Sequence, residues 1–143
     1  MVKRLAPAFA SVPRLLPDGG TVLVLGSGPS LTQADVTLAR AHVDGVIAVN
    51  DSYKFAPDAT VLYAADAHWW KWHQGVQGAH VVGAVKYPAF TGRLKYCLSR
   101  TPYPDVEVLR RGPGKGLSLD SSTVALGLNG VYQSINVAVH MGA

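Results

Sequence analysis

The sequence predicts an α/β fold: a Rossmann-like, three-layer arrangement around a mostly parallel sheet that ends one strand early. Three observations predict it. Short apolar runs rich in β-branched residues recur along the chain, each closing on a polar tip. A helical pattern stands between the first two of them. The runs are continuous rather than alternating, as expected of strands covered on both faces.

The first run, Thr21-Val-Leu-Val-Leu25, is bounded by Asp18-Gly19-Gly20 before it and by glycines after it. From Ser30 to Arg40, apolar residues at Leu31, Ala34, Val36, Leu38 and Ala39 predict a helix, with Ser30…Gln33 and Thr32…Asp35 as alternative capping boxes. Val46–Val49, ending at Asn50-Asp51, reads as the second strand, and Thr60–Ala65, ending at Asp66, as the third. Strand, helix, strand, polar tip is the order of a βαβ unit. Val81–Val85 reads as a fourth strand and Val106–Leu109 as a shorter fifth, while Pro88–Pro104 and Arg110–Leu128 read as long surface loops. Gly130–His140 carries Val131, Ile135, Ala138 and Val139 at helical spacing, and Met141-Gly142-Ala143 reads as its C-cap. These elements divide the chain into an N-terminal extension, 1–20, and a single Rossmann-like nucleotide-binding domain, 21–143.

Composition narrows the function. With 143 residues, 48% hydrophobic and 15% charged, the chain can bury a core without metals or disulfides. Its single cysteine, Cys97, excludes an internal disulfide, fits a reducing compartment and reads as a small buried hydrophobe. Pro7, Pro13 and Arg14 interrupt the N-terminal apolar run, so neither a signal peptide nor a membrane span is expected, and the predicted location is the cytoplasm. A net charge of +4 favours anionic ligands, but the cations are scattered and no nucleic-acid motif occurs, so a nucleic-acid partner is not expected.

The chemistry concentrates at Gly26-Ser27-Gly28-Pro29-Ser30, between the first strand and the first helix. Glycines let the backbone turn close to a ligand, and unpaired N–H groups at a helix start attract an anion. Pro29 removes one donor but presets helix entry, and Ser27 and Ser30 add hydroxyls. Leu31 replaces the third glycine of a dinucleotide fingerprint, and Gly112-Pro-Gly-Lys-Gly116 lacks the Ser or Thr of a Walker loop. A turn that binds nothing is the alternative reading.

Ligands of open parallel sheets bind beyond the carboxyl ends of the strands, which places Asn50, Asp51 and Asp66 at the same rim. Asn50 suits a base or ribose and Asp51 a ribose hydroxyl, though both also suit turns. In His68-Trp-Trp-Lys-Trp-His73 a helix would put Trp69, Trp72 and His73 on one face, for stacking on a ligand or, more commonly, packing over the sheet. His68 and His73 stand too far apart around a helix to share a metal, and His42, His80 and His140 read as isolated imidazoles. No metal and no further cofactor are expected, and the absence of G-x-S-x-G leaves a hydrolase triad without support.

Gly26-Ser-Gly-Pro-Ser-Leu31, Ala48-Val-Asn50 and Asn129-Gly-Val-Tyr132 resemble the nucleotide-sugar site of bacterial lipooligosaccharide sialyltransferases. The first element also resembles that of hydroxymethylpterin diphosphokinase-like proteins, and the chain as a whole resembles uncharacterised phage and prophage proteins. The resemblance implies a nucleotide or nucleotide-sugar ligand held by Ser27, Gly28, Ser30, Asn50, Gly130 and Tyr132, in the host cytoplasm if the protein is phage-encoded. Ser27 stands where those enzymes have asparagine, and their catalytic base and acceptor lid have no counterpart in the matched segment. Transferase activity is therefore left open. A non-enzymatic phage accessory protein that binds a partner or sequesters a nucleotide, and a structural homodimer completing its sheet across an edge, are the alternatives.

Overall fold

The computed structural model describes residues 8–143, so the first seven residues of the N-terminal extension lie outside it. The order is β1 (Val22–Leu25), α1 (Gln33–Arg40), β2 (Gly45–Val49), a 3₁₀ helix (Asn50–Phe55), β3 (Val61–Tyr63), α2 (Ala67–Trp72), a 3₁₀ turn (Gln74–Val76), β4 (His80–Val82), β5 (Val85–Tyr87), β6 (Leu94–Cys97), β7 (Glu107–Val108), β8 (Arg110–Arg111), β9 (Thr123–Val124) and α3 (Gly130–Met141). β1-β2-β3-β6-β7, in that order, form one parallel sheet. The protein is therefore mixed α/β with a mostly parallel sheet.

Every residue of β2 is buried, which is why its sequence is an unbroken apolar run. Strand alternation then divides the core. Val46, Ala48, Leu62 and Cys97 pack with Val36 of α1 and Trp69 and Trp70 of α2. Ile47, Val49, Val61, Tyr63 and Tyr96 pack with Val137, Ala138 and Met141 of α3. Part of the N-terminal extension joins the second cluster: Val12 is buried there, and the Leu15 and Leu16 amides donate to the Met141 carbonyl (3.1 and 2.9 Å).

Local signals set the helix ends. Thr32 Oγ1 accepts from the Asp35 amide (3.2 Å) and Asp35 Oδ2 from the Thr32 amide (3.3 Å), so the second of the two capping boxes is the one used and α1 starts at Gln33. Asn129 Oδ1 accepts from the Tyr132 amide (2.9 Å) at the start of α3, and Gly142, at φ +114°, ends it.

Two expectations are corrected. Val81–Val85 is not one strand: β4 and β5 form an antiparallel hairpin that turns at Gly83 (φ +61°) and stands outside the main sheet. The sheet's fourth strand is β6, inside the expected Pro88–Pro104 loop. Its apolar run is broken by Lys95, whose ammonium reaches the Gly75 carbonyl (3.0 Å) and Asp105 (2.5 Å). The expected Arg110–Leu128 loop likewise carries β8 and β9, paired in parallel. No helix among the described residues is long and apolar enough to cross a membrane.

Buried polar side chains of α3 hold that long segment in place. Asn136, fully buried, accepts from the Ser118 and Ala125 amides (2.9 and 2.8 Å) and donates to the Ser118 carbonyl (3.0 Å). Asn136→Ala orphans all three groups and is expected to cost about 2–3 kcal/mol in urea unfolding, since each unsatisfied buried partner is worth about 1–3 kcal/mol. A loss below about 0.5 kcal/mol, the range of an ordinary surface change, would show that the segment is held by other contacts.

Candidate functional site

Three chain segments meet at the carboxyl ends of β1 and β2. Beyond Leu25 the backbone passes through Gly26, where an added Cβ would come within 3.2 Å of Val131 Cγ2 on α3. At the first residue of α3, an added Cβ on Gly130 would come within 2.9 Å of Val49 Cγ1, so this glycine lets the helix start sit directly on the end of β2. The glycine turn, the Asn50 end of β2 and the start of α3 thus share one rim.

The turn itself is exposed from Ser27 to Ser30. Leu31 closes it by donating to the Gly28 carbonyl (3.2 Å), whereas the Ser27, Gly28 and Ser30 amides donate to no acceptor among the described residues. Free amides beside a helix start are the donor set an anion needs. Ser27 and Gly28, but not Ser30, border a cleft of about 120 Å³ that Pro29, Asp51, Ser52 and Lys54 also line, with Leu31 and Phe55 supplying apolar wall. Ser52 and Lys54 escape sequence reasoning. Ser52 Oγ donates to the Leu25 carbonyl and accepts from the Val49 amide (both 2.9 Å), pinning the 3₁₀ helix to the end of β1, and exposed Lys54 contributes a cation.

Asn50 begins the 3₁₀ helix at φ +51°, a left-handed conformation that asparagine tolerates better than most residues. Asp51 borders the cleft but turns its carboxylate to the protein. It accepts from Trp69 Nε1 and the Tyr87 hydroxyl (both 2.8 Å) and lies 3.3 Å from His73 Nε2. Asp66, two strands along, does not line the cleft. It caps α2 by accepting from the His68 amide (2.8 Å) and remains exposed. Tyr132 does not line the cleft: it lines a separate groove of about 380 Å³ with Gly114, Lys115, Gly127, Leu128 and Asn129, and its hydroxyl donates to the Gly116 carbonyl (3.1 Å).

The tryptophan cluster divides. Trp70 and Trp69 are buried, and Trp69 stacks on His73 with centroids 4.1 Å apart, whereas Trp72 leaves the face expected for it and is 63% exposed. His80 is not isolated: its Nε2 lies 2.9 Å from His73 Nδ1. That pairing joins α2 to the β4–β5 hairpin, a tertiary contact that spacing along one helix does not reveal. Cys97 is buried, and burial pushes its thiol up, away from a reactive thiolate. Among the described residues, no group of three or more His, Cys, Asp or Glu is placed to hold a metal.

No family model matches the chain, and no curated protein or solved structure shows significant similarity to it.

The His73, Trp69 and Tyr87 donors hold the Asp51 carboxyl well below the usual carboxylate range, against the opposing effect of burial. A folded-state value depressed in this way contributes stability that is complete above the ordinary aspartate pKa of about 3.9 and is lost as pH falls through the folded-state value. Asp51→Asn is therefore expected to be less stable than the wild type at neutral pH, with the gap closing progressively below about pH 4. Urea midpoints of both proteins across that range check it, and a gap independent of pH would contradict it.

Proposed function

We propose that the protein is a nucleotide or nucleotide-sugar binding domain of Rossmann-like, three-layer architecture. Phosphate sits on the Ser27, Gly28 and Ser30 amides, and the nucleoside lies along Asn50 towards Gly130 and Tyr132. The observation that carries this reading is the set of three amides without acceptors among the described residues, close before α1, two of them, those of Ser27 and Gly28, on a small cleft that Lys54 also lines. The resemblance of Gly26–Leu31 and Asn129–Tyr132 to sialyltransferase elements supports the same ligand class and a transferase ancestry. Any catalysis would come mainly from orienting a donor and stabilising its leaving phosphate. The protein would act in the cytoplasm, that of a host cell if it is phage-encoded.

Calorimetry with CMP, CDP, UDP, ADP and their sugar conjugates tests the reading. Saturable binding by one base class is expected, and silence across the panel at millimolar concentration overturns it. Recovery of a bound sugar conjugate unchanged after long incubation would mark a non-enzymatic binder rather than a transferase.

A second reading, a homodimer, is favoured by one observation. β1 ends the sheet, and α3, which packs on it, exposes Val131 and Ile135 at 37% and 46%. Edge strands of this kind pair readily with another strand. Light scattering giving twice the chain mass supports this reading, and a single-chain mass excludes it.

A further inference from the structure

Exposed apolar side chains gather around α3. Leu128 is 100% exposed and Leu119 90%, and Leu117, Val131 and Ile135 are exposed as well. Contacts place them together. The Tyr132 hydroxyl donates to the Gly116 carbonyl (3.1 Å), and Asn136 holds both the amide and the carbonyl of Ser118 (2.9 and 3.0 Å). Leu119 lines a cleft of about 420 Å³ with Val139 and His140. Residues 116–119 therefore follow α3 from its first turn to its last. Val131, Ile135 and Val139, spaced four apart, form one stripe along the same helix. Leu128 stands just before the helix, where it lines the groove of about 380 Å³ with Lys115 and Tyr132. Exposed apolar side chains gathered in this way mark an interaction surface.

Charge borders this patch without entering it. From Ser121 to Ala143 the sequence contains no Asp, Glu, Lys or Arg, whereas Arg110, Arg111 and Lys115 stand shortly before that stretch. All three cations are exposed, and among the described residues none is in a salt bridge. Arg14, paired with Asp18, lines the cleft beside Leu119. The one acidic side chain of residues 110–143, Asp120, accepts from the Ser122 amide and hydroxyl (2.9 and 2.8 Å).

This charge pattern decides between occupants. A second copy of the chain on the same face would bring like cations towards one another across a two-fold axis. An anionic surface meets them with the opposite sign.

We propose that this face docks on an anionic lipid bilayer. Leu119 and Leu128, with Leu117, enter the boundary between headgroups and acyl chains, while Arg110, Arg111 and Lys115 meet the anionic headgroups. The association is peripheral: no helix among the described residues is long and apolar enough to cross a membrane. The groove lined by Lys115 and Leu128 then lies at the bilayer surface.

Co-sedimentation of the full chain with lipid vesicles tests the proposal. Binding is expected with vesicles of equal parts phosphatidylcholine and phosphatidylglycerol, weakening as salt is raised, and is expected to be at least about tenfold weaker with phosphatidylcholine alone. The double variant Leu119→Ser, Leu128→Ser removes two exposed side chains, so it is expected to keep the thermal midpoint and to bind at least about tenfold more weakly. Lys115→Gln is expected to weaken binding about fivefold. Failure to sediment with the mixed vesicles, equal binding to both vesicle types, or unchanged binding by the double variant overturns the proposal. So does a dimer in solution that the double variant dissociates, which would assign the face to a second copy. The two vesicle types decide alone should the double variant fail to fold. Nucleotide binding at the glycine turn is independent of each of these outcomes.

Discussion

Gly28→Asp is expected to weaken nucleotide binding at least about tenfold while leaving the thermal midpoint within about 2 °C of wild type, because the new carboxylate competes for the free amides of the turn. Position 28 suits this test. A Cβ there meets nothing within 4 Å, and its φ lies outside the left-handed region, so a side chain brings neither clash nor backbone strain. A negative charge just before α1 is, if anything, favourable to the helix. Loss of binding in a protein of unchanged stability then points to the cradle rather than to the fold. Gly28→Ala is the matched control: it occupies the same open space without a charge and is expected to bind as the wild type does. Equal affinities for wild type and Gly28→Asp in calorimetry would remove the turn from the site.

Trp70→Ala is expected to destabilise the protein by about 3–5 kcal/mol, the range for truncating a large buried aromatic. Trp70 is fully buried on the α2 side of the sheet, meets Trp69 edge-on with centroids 5.1 Å apart, and donates from Nε1 to the Ala64 carbonyl (2.9 Å) at the end of β3. Removing it leaves both a cavity and an unpaired carbonyl. Such a loss consumes much of the total stability of about 5–15 kcal/mol typical of a domain. Trp72→Ala, two residues away, removes a side chain that is 63% exposed and is expected to cost no more than about 0.5 kcal/mol. Urea unfolding of the two variants should therefore separate widely, and similar midpoints would contradict the orientation of α2 described here.

The pattern behind these expectations was only partly visible in the residues. β2 and β3 are legible because burial on both faces leaves an unbroken apolar run, and α3 because Val131, Ile135, Ala138 and Val139 recur at helical spacing and Gly142 marks its end. β6 is hidden because Lys95 interrupts it for the sake of a contact with Gly75 and Asp105, and the hairpin is hidden because its turn signal rests on Gly83 alone. At the rim, strand, glycine turn and helix start are contiguous in sequence, so the free amides could be anticipated. Ser52 could not: its partner is the Leu25 carbonyl, 27 residues away. Nor could the inward turn of Asp51, which depends on Trp69, His73 and Tyr87 arriving from α2 and the hairpin. Gly130 illustrates a third case, a residue assigned to a ligand whose lack of a side chain also has a packing reason, the approach of Val49.

The most direct test of the binding claim is a titration of ¹⁵N-labelled protein with CMP, followed at the backbone amides. A phosphate seated on the glycine turn is expected to shift Ser27, Gly28 and Ser30 first and furthest, with Lys54 and Gly130 following. If those three amides stay still up to millimolar nucleotide while signals elsewhere move, or if nothing moves, the turn is a chain reversal and not an anion site.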